Sequence, residues 1–205
     1  MRTFFRLLEM EIIELQPYNV DSRAIERAAD ALRAGKLVIY PTDSHPALAA
    51  DSLNTSAIAE LCRLKGVNPD KHTLTLVCDS IATAAQYARI DNRAFQTLKR
   101  NTPGPFTFIL PPATSLPKVY KGRKEVGVRI PDNAIARALA EELGHPVLSG
   151  SLGDSDPMEL ESAVELLLTD ASAEYSSEPQ SSAIVSLMDS SEPEILREGP
   201  QELQL

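Results

Sequence analysis

The stretch Leu37-Val38-Ile39-Tyr40-Pro41-Thr42-Asp43-Ser44 decides how this chain folds. Branched apolar residues build a buried strand up to Tyr40, and Pro41, which has no N–H to donate, ends its ladder. The next three residues set two hydroxyls and a carboxylate at the strand's end, where open α/β sheets bind ligands. Three later segments share the design. They are Thr102-Pro103-Gly104-Pro105-Phe106-Thr107 running into Phe108-Ile109-Leu110, Val126-Gly127-Val128-Arg129-Ile130-Pro131, and Pro146-Val147-Leu148-Ser149-Gly150-Ser151. One such turn is only a turn. Four in one chain predict a single pocket lined by hydroxyls, backbone amides and one arginine.

Outward from these segments the pattern alternates strand and helix. Strands are expected over Glu11–Gln16, Leu37–Tyr40, Ala47–Ala50, Thr73–Cys78, Phe106–Leu110, Glu125–Ile130, Val147–Ser149, Ala183–Leu187 and Glu194–Arg197. Helices are expected over Arg23–Ala34, from Asn54 or Thr55 to Leu64, after Asp79-Ser80, over Asn92–Arg100, from Asp132 to Leu143, and over Met158–Leu168. Asp21 or Ser22, Asp91 and Asp132 supply the side-chain oxygens that cap helix N-termini. Ala171–Gln180 is a Ser/Glu-rich loop. The alternation implies one α/β domain over about residues 10–200, a twisted open mixed sheet with helices, because short links near Pro111–Val119 allow antiparallel pairs.

A length of 205 residues suits one ample domain, and 43% hydrophobic with 24% charged content is ordinary for a globular protein. No stretch approaches the ~20 apolar residues of a membrane helix. Met1–Leu8 reads as a short extension before Met10, since Glu9 and Glu11 cut its apolar run. The charge is unevenly spread. Residues 1–153 hold 19 Lys+Arg against 16 Asp+Glu, whereas residues 154–205 hold Arg197 against 13 acids. The net charge of −9 therefore reflects the acidic C-terminal third, and the body can still bind an anion. Cys62 and Cys78, with no CxxC spacing, read as buried packing residues in a reducing, cytoplasmic setting.

Several side chains stand out on their own chemistry. Thr42 and Ser44 are placed to hold a small polar substrate. Arg129 lies between valine and isoleucine in a strand, where an unpaired charge is expensive to bury. It either pairs with an acid or grips an anion such as a carboxylate, and the second is the expectation adopted. Thr107 alternates with Phe106 and Phe108 and so faces away from them, making it a pocket candidate. Ser149 and Ser151 share a strand face. The histidines His45, His72 and His145 read as exposed loop residues, since no spacing resembles a metal motif. No structural metal is expected. The run Lys118-Val119-Tyr120-Lys121-Gly122-Arg123-Lys124 offers four cations and an aromatic suited to nucleic-acid phosphate contact.

Taken in order, VIYPTDS at 38–44, LCRLKG at 61–66, NTPGPFTFIL at 101–110, VGVRIP at 126–131, GHPVLS at 144–149 and ILREG at 195–199 resemble the YrdC/YciO family. Ser44, the TPGPFTFIL string and the GRKEVG stretch lean toward the YciO branch. The resemblance implies a sheet with a concave, ligand-binding face. It also implies a threonylcarbamoyl-adenylate synthase-like nucleotidyltransferase, weak or retuned, connected with tRNA modification. Such an enzyme takes threonine or a similar amino acid, bicarbonate and ATP, with Mg²⁺, and releases pyrophosphate. In that reading Lys65 and Arg129 are catalytic, Thr42, Ser44 and Thr107 hold the amino acid, and Lys65, Lys71, Ser149, Ser151 and Arg197 serve the nucleotide. For Arg197 a salt bridge to neighbouring acids stands as the alternative.

The family is also described as binding double-stranded RNA. The alternative reading is a non-catalytic RNA-binding protein that uses the same concave face, with Lys118, Lys121, Arg123 and Lys124 on the RNA or tRNA backbone. Four positions depart from the family pattern. Val67 replaces the arginine of a Lys-x-Arg pair, Gly153 the asparagine of Ser-x-Asn, Pro46 an aromatic, and Ala47 a glycine. Losing one preorganised donor typically costs on the order of 10²–10³ in rate, so the departures favour altered chemistry.

Overall fold

The computed structural model describes residues 10–68, 75–114, 120, 122–172 and 181–205. Their strands are β1 (Glu11–Leu15), β2 (Val38–Tyr40), β3 (Ala47–Asp51), β4 (Thr75–Val77), β5 (Phe106–Leu110), β6 (Val126–Arg129), β7 (Val147–Ser151), β8 (Leu166–Asp170), β9 (Ala183–Ser186) and β10 (Glu194–Arg197). The helices are α1 (Ser22–Arg33), α2 (Thr55–Leu64), α3 (Ile81–Ala84), α4 (Asn92–Asn101) and α5 (Ala134–Leu143). All ten strands form one mixed sheet in the order β1-β8-β2-β3-β7-β4-β6-β5-β9-β10. The expected α/β class holds, and the acidic C-terminal third contributes three strands to the same sheet. Among the described residues no helix is long and apolar enough to cross a membrane.

Side-chain alternation divides the core into two layers. On one face Leu48, Leu76, Phe106, Phe108, Val128 and Leu148 pack with Ile58 and Leu61 of α2, Ala84 of α3 and Leu98 of α4. On the other, Val38, Tyr40, Ala49, Val77 and Val147 pack under Ile25 and Leu32 of α1 and Leu139 of α5. This second helical cover stops near Val77. Beyond it the register carries Gly127 and Arg129 of β6, Thr107 and Ile109 of β5, Ile184 of β9 and Arg197 of β10 onto the same face. Among the described residues no helix lies over them, and that open part of the sheet is where the strand-end motifs meet.

Two elements differ from expectation. The segment read as a helix over Met158–Leu168 is a single 3-10 turn, Pro157–Leu160, followed by β8. Its leucines fit a helical period equally well, but β8 is inserted between β1 and β2 with parallel pairing on both sides. Long-range ladder bonds and burial on two faces decide in favour of the strand. The cap of α5 is Asn133, whose Oδ1 accepts from the Ala136 N–H at 3.0 Å. Asp132, the expected cap, instead donates its own N–H to the Asp43 carboxylate at 2.8 Å. The other caps are Asp21, Asn54, Ser80 and Asp91, as their side-chain chemistry suggests.

Candidate functional site

The turn after β2 is organised by its own hydroxyls. Thr42 Oγ1 donates to the His45 carbonyl at 2.8 Å and accepts the Ser44 N–H at 3.1 Å. This tightens Thr42–His45 and aims Ser44 and Asp43 across the sheet end toward β6. There Arg129 Nη2 donates to Asp43 Oδ1 at 2.5 Å and to Ser44 Oγ at 2.8 Å, with Thr42 Oγ1 at 3.4 Å. The arginine and aspartate side chains are 8% and 10% exposed, so this ion pair is shielded from solvent. The second Asp43 oxygen takes the Asp132 N–H, which ties the Ile130-Pro131-Asp132 turn to the same point.

Of the two partners expected for Arg129, the acid is present in the fold. Burial demands a counter-charge, and the chain supplies it from Asp43, 86 residues away. The arginine is not thereby saturated. Each of these bonds leaves from Nη2, and Nε is buried with no hydrogen-bond partner among the described residues.

Across the open face, Thr107 is buried with Oγ1 3.4 Å from Ser182 Oγ. Arg197 donates from Nε and Nη2 to the Ser182 carbonyl at 2.9 and 2.7 Å, and makes no salt bridge to an acid among the described residues. Partial burial, and after it the Arg129 charge, hold the Arg197 guanidinium below the ordinary arginine value. Two cations thus sense each other on one sheet face. An anion between them would relieve both effects.

The β7 end is built differently. Ser149 is half-buried and accepts the Tyr40 hydroxyl at 2.6 Å, while Ser151 is exposed. Gly150 between them faces the α2 layer. A Cβ there would stand 3.3 Å from Leu61 Cδ2 and 3.4 Å from Lys65 Cγ, so the glycine makes room for the lysine stem. The Lys65 ammonium then reaches the Ser151 carbonyl. Val67 turns onto the hydrophobic layer of α2, partly buried. Gly153 sits at φ +58° with open space around its Cα, a left-handed conformation that asparagine also tolerates. The backbone of the Ser-x-Asn signature thus survives without its amide.

Other expectations fare unevenly. Lys71, Lys118 and Lys121, with His72 and the extension Met1–Glu9, lie outside the described residues. Lys124 is exposed. Arg123 is half-buried. His45 and His145 are not exposed loop residues. His45 is 5% exposed, and its Nδ1 has no partner among the described residues. His145 Nε2 lies 2.7 Å from Asp51 Oδ1. Cys62 and Cys78 are buried free thiols, each pushed up by burial.

Sequence reasoning left three participants unassigned. Asp43 stands inside the quoted motif, yet nothing local points it at Arg129. Tyr40 reads there only as a strand residue, and Ser182 carries no signal beyond preceding a strand.

A family model for Sua5, YciO and YrdC proteins, described as Telomere recombination, matches residues 30–199. The uncharacterized protein YciO of Escherichia coli K12 is 38% identical over 160 residues, 74% of this chain and 77% of its own. In the crystal structure of E. coli YciO the alignment covers 95% of this chain and 98% of that one, at 33% identity and a TM-score of 0.83. The threonylcarbamoyl-AMP synthase of Halorhodospira halophila is 34% identical over 133 residues, 64% of this chain and 69% of that protein. P. abyssi Sua5, crystallised in complex with L-threonine, aligns at 26% identity and a TM-score of 0.77, over 92% of this chain and 57% of its own. With the strand-end motifs, the mixed ten-stranded sheet and these similarities in agreement, the chain belongs to the Sua5/YciO/YrdC family.

Proposed function

We propose that this protein is an ATP-dependent threonylcarbamoyl-adenylate synthase-like nucleotidyltransferase, retuned at its nucleotide end and connected with tRNA modification. The observation that carries the reading is the pair Arg129 and Arg197 on one sheet face, with Asp43 the single acid paired to either among the described residues. A guanidinium has five N–H donors, and Arg129 has committed those of one nitrogen. What it has left suits the carboxylate of a threonine-like amino acid, with Ser44 beside it. Thr42 shapes the turn and Thr107 supports Ser182 and Arg197.

In this reading the neutral amino group forms a C–N bond to the bicarbonate carbon, a C–O bond breaks with loss of water, and a carbamate results. Its oxygen attacks the α-phosphorus of ATP, the bond to the β-phosphate breaks, and pyrophosphate leaves. Charge on the phosphates then needs fixed donors. Ser149, Ser151, Arg197 and Lys65 are the groups this chain offers. Mg²⁺ would enter with the nucleotide as its phosphate counter-ion. Its chemistry is to screen phosphate charge.

The experiment is pyrophosphate release with L-threonine, bicarbonate, ATP and Mg²⁺. Release that requires all three substrates supports the proposal. No release, together with salt-sensitive retention of double-stranded RNA, favours the non-catalytic RNA-binding alternative.

A further inference from the structure

We propose that Tyr40 is a positioning residue that turns the Ser149 hydroxyl proton toward whatever ligand covers the β7 end of the open face. The proposal rests on the nucleotide assignment above for the identity of that ligand, but its geometry stands without it. Tyr40 is wholly buried, and its hydroxyl has one hydrogen-bond partner among the described residues, Ser149 Oγ at 2.6 Å. A buried hydroxyl proton left without an acceptor carries its full desolvation penalty. Were Ser149 the donor of this bond, the phenolic proton would be stranded inside the protein. The reverse arrangement strands nothing, because Ser149 is half-exposed and can give its proton outward. Tyr40 therefore donates, Ser149 Oγ accepts, and the serine proton is turned to the open face.

The position of Tyr40 makes this more than a packing detail. Its hydroxyl bonds Ser149 and lies within electrostatic reach of both members of the Arg129–Asp43 pair, so it stands between the two ends. Burial above all pushes its ionisation up to about 12 despite the Ser149 bond and the Arg129 charge, so it stays a donor throughout the working pH range. Accepting from Tyr40 uses one Ser149 lone pair and leaves its proton free, and that proton fits phosphate and carboxylate oxygens.

The variants Tyr40→Phe, Ser149→Ala and the double variant test this in two readouts. The first is the unfolding midpoint without ligand. Ser149→Ala strands the buried phenol and should lower the midpoint more than Tyr40→Phe, and adding Tyr40→Phe to Ser149→Ala should recover part of the loss. The reverse order, or simple additivity, overturns the inference. The second is calorimetric titration with ATP and Mg²⁺. Tyr40→Phe should bind roughly tenfold more weakly, the worth of one oriented hydrogen bond, and the double variant no more weakly than Ser149→Ala. Full affinity in Tyr40→Phe with a loss in Ser149→Ala would refute the positioning role and leave the nucleotide reading standing. A wild type that binds no ATP would refute that reading instead, and the unfolding cycle would still decide the Tyr40–Ser149 bond.

Discussion

The two ends of the open face are made to different standards. At the β6 end Arg129, Asp43, Ser44 and the Asp132 amide interlock through charge-assisted bonds drawn from two distant stretches of chain. At the β7 end Ser149 has one fixed partner, Ser151 is exposed, and Gly153 keeps a backbone turn without a side chain. The first end is held by the fold and helps to hold it. The second has kept its scaffold while shedding donors. A charge inside a protein must be neutralised or the fold suffers, whereas a serine at a rim can be lost to water at little cost. Substitution is therefore easier to accommodate at the β7 end than at the β6 end.

The largest effect that can break this contrast is removal of the counter-ion. Asp43→Ala leaves the Arg129 charge buried and unpaired, and denaturant unfolding should show a loss of about 3–5 kcal/mol. Ser151→Ala should change stability by less than about 0.5 kcal/mol. Similar losses in the two variants would erase the distinction between the ends.

A smaller effect concerns the residue that joins them. The folded-state ionisation of Tyr40 lies near 12, above its ordinary value of 10.0. The unfolded chain ionises first as pH rises, so the stabilisation is complete below pH 10.0 and is lost between there and about 12. Over that window wild-type protein should lose roughly 2–3 kcal/mol relative to Tyr40→Phe. Parallel curves for the two proteins would mean that Tyr40 is not held in this buried environment.

The smallest expected effect sharpens the account of the β7 end. Gly153→Ala places a β-carbon on a left-handed backbone and should cost about 1 kcal/mol. Gly153→Asn should cost less, since asparagine tolerates that conformation, and should tighten ATP binding by restoring an amide. An asparagine variant less stable than the alanine one would contradict the view that the turn has been preserved.

How much of this was legible beforehand follows from the range of each interaction. The apolar run into Pro41, the side-chain caps at Asp21 and Asp91, and the alternation that puts Ser149 and Ser151 on one face are local, and local chemistry is written in neighbouring residues. The fate of Leu166–Leu168 is not local. Only the presence of β1 and β2 on either side makes it a strand rather than a helix. The same holds for Arg129. Its need for a partner was readable from the apolar residues around it, but whether that partner was a ligand or Asp43 depended on how the turn after β2 meets the end of β6. His45 reads as a loop histidine because its neighbours are polar or proline, and nothing in those neighbours reports its burial.

The most direct test of a carboxylate-gripping Arg129 changes the ligand rather than the protein, because altering the arginine also disturbs its ion pair. Isothermal titration of the wild-type chain with L-threonine and with L-threoninol, identical but for the carboxylate, separates the possibilities. Threonine binding, with threoninol at least tenfold weaker, is the outcome expected from a guanidinium that retains free donors beside Ser44. Equal affinity for the two, or no binding of either in the presence and absence of ATP, would contradict it and leave Arg129 as the structural partner of Asp43.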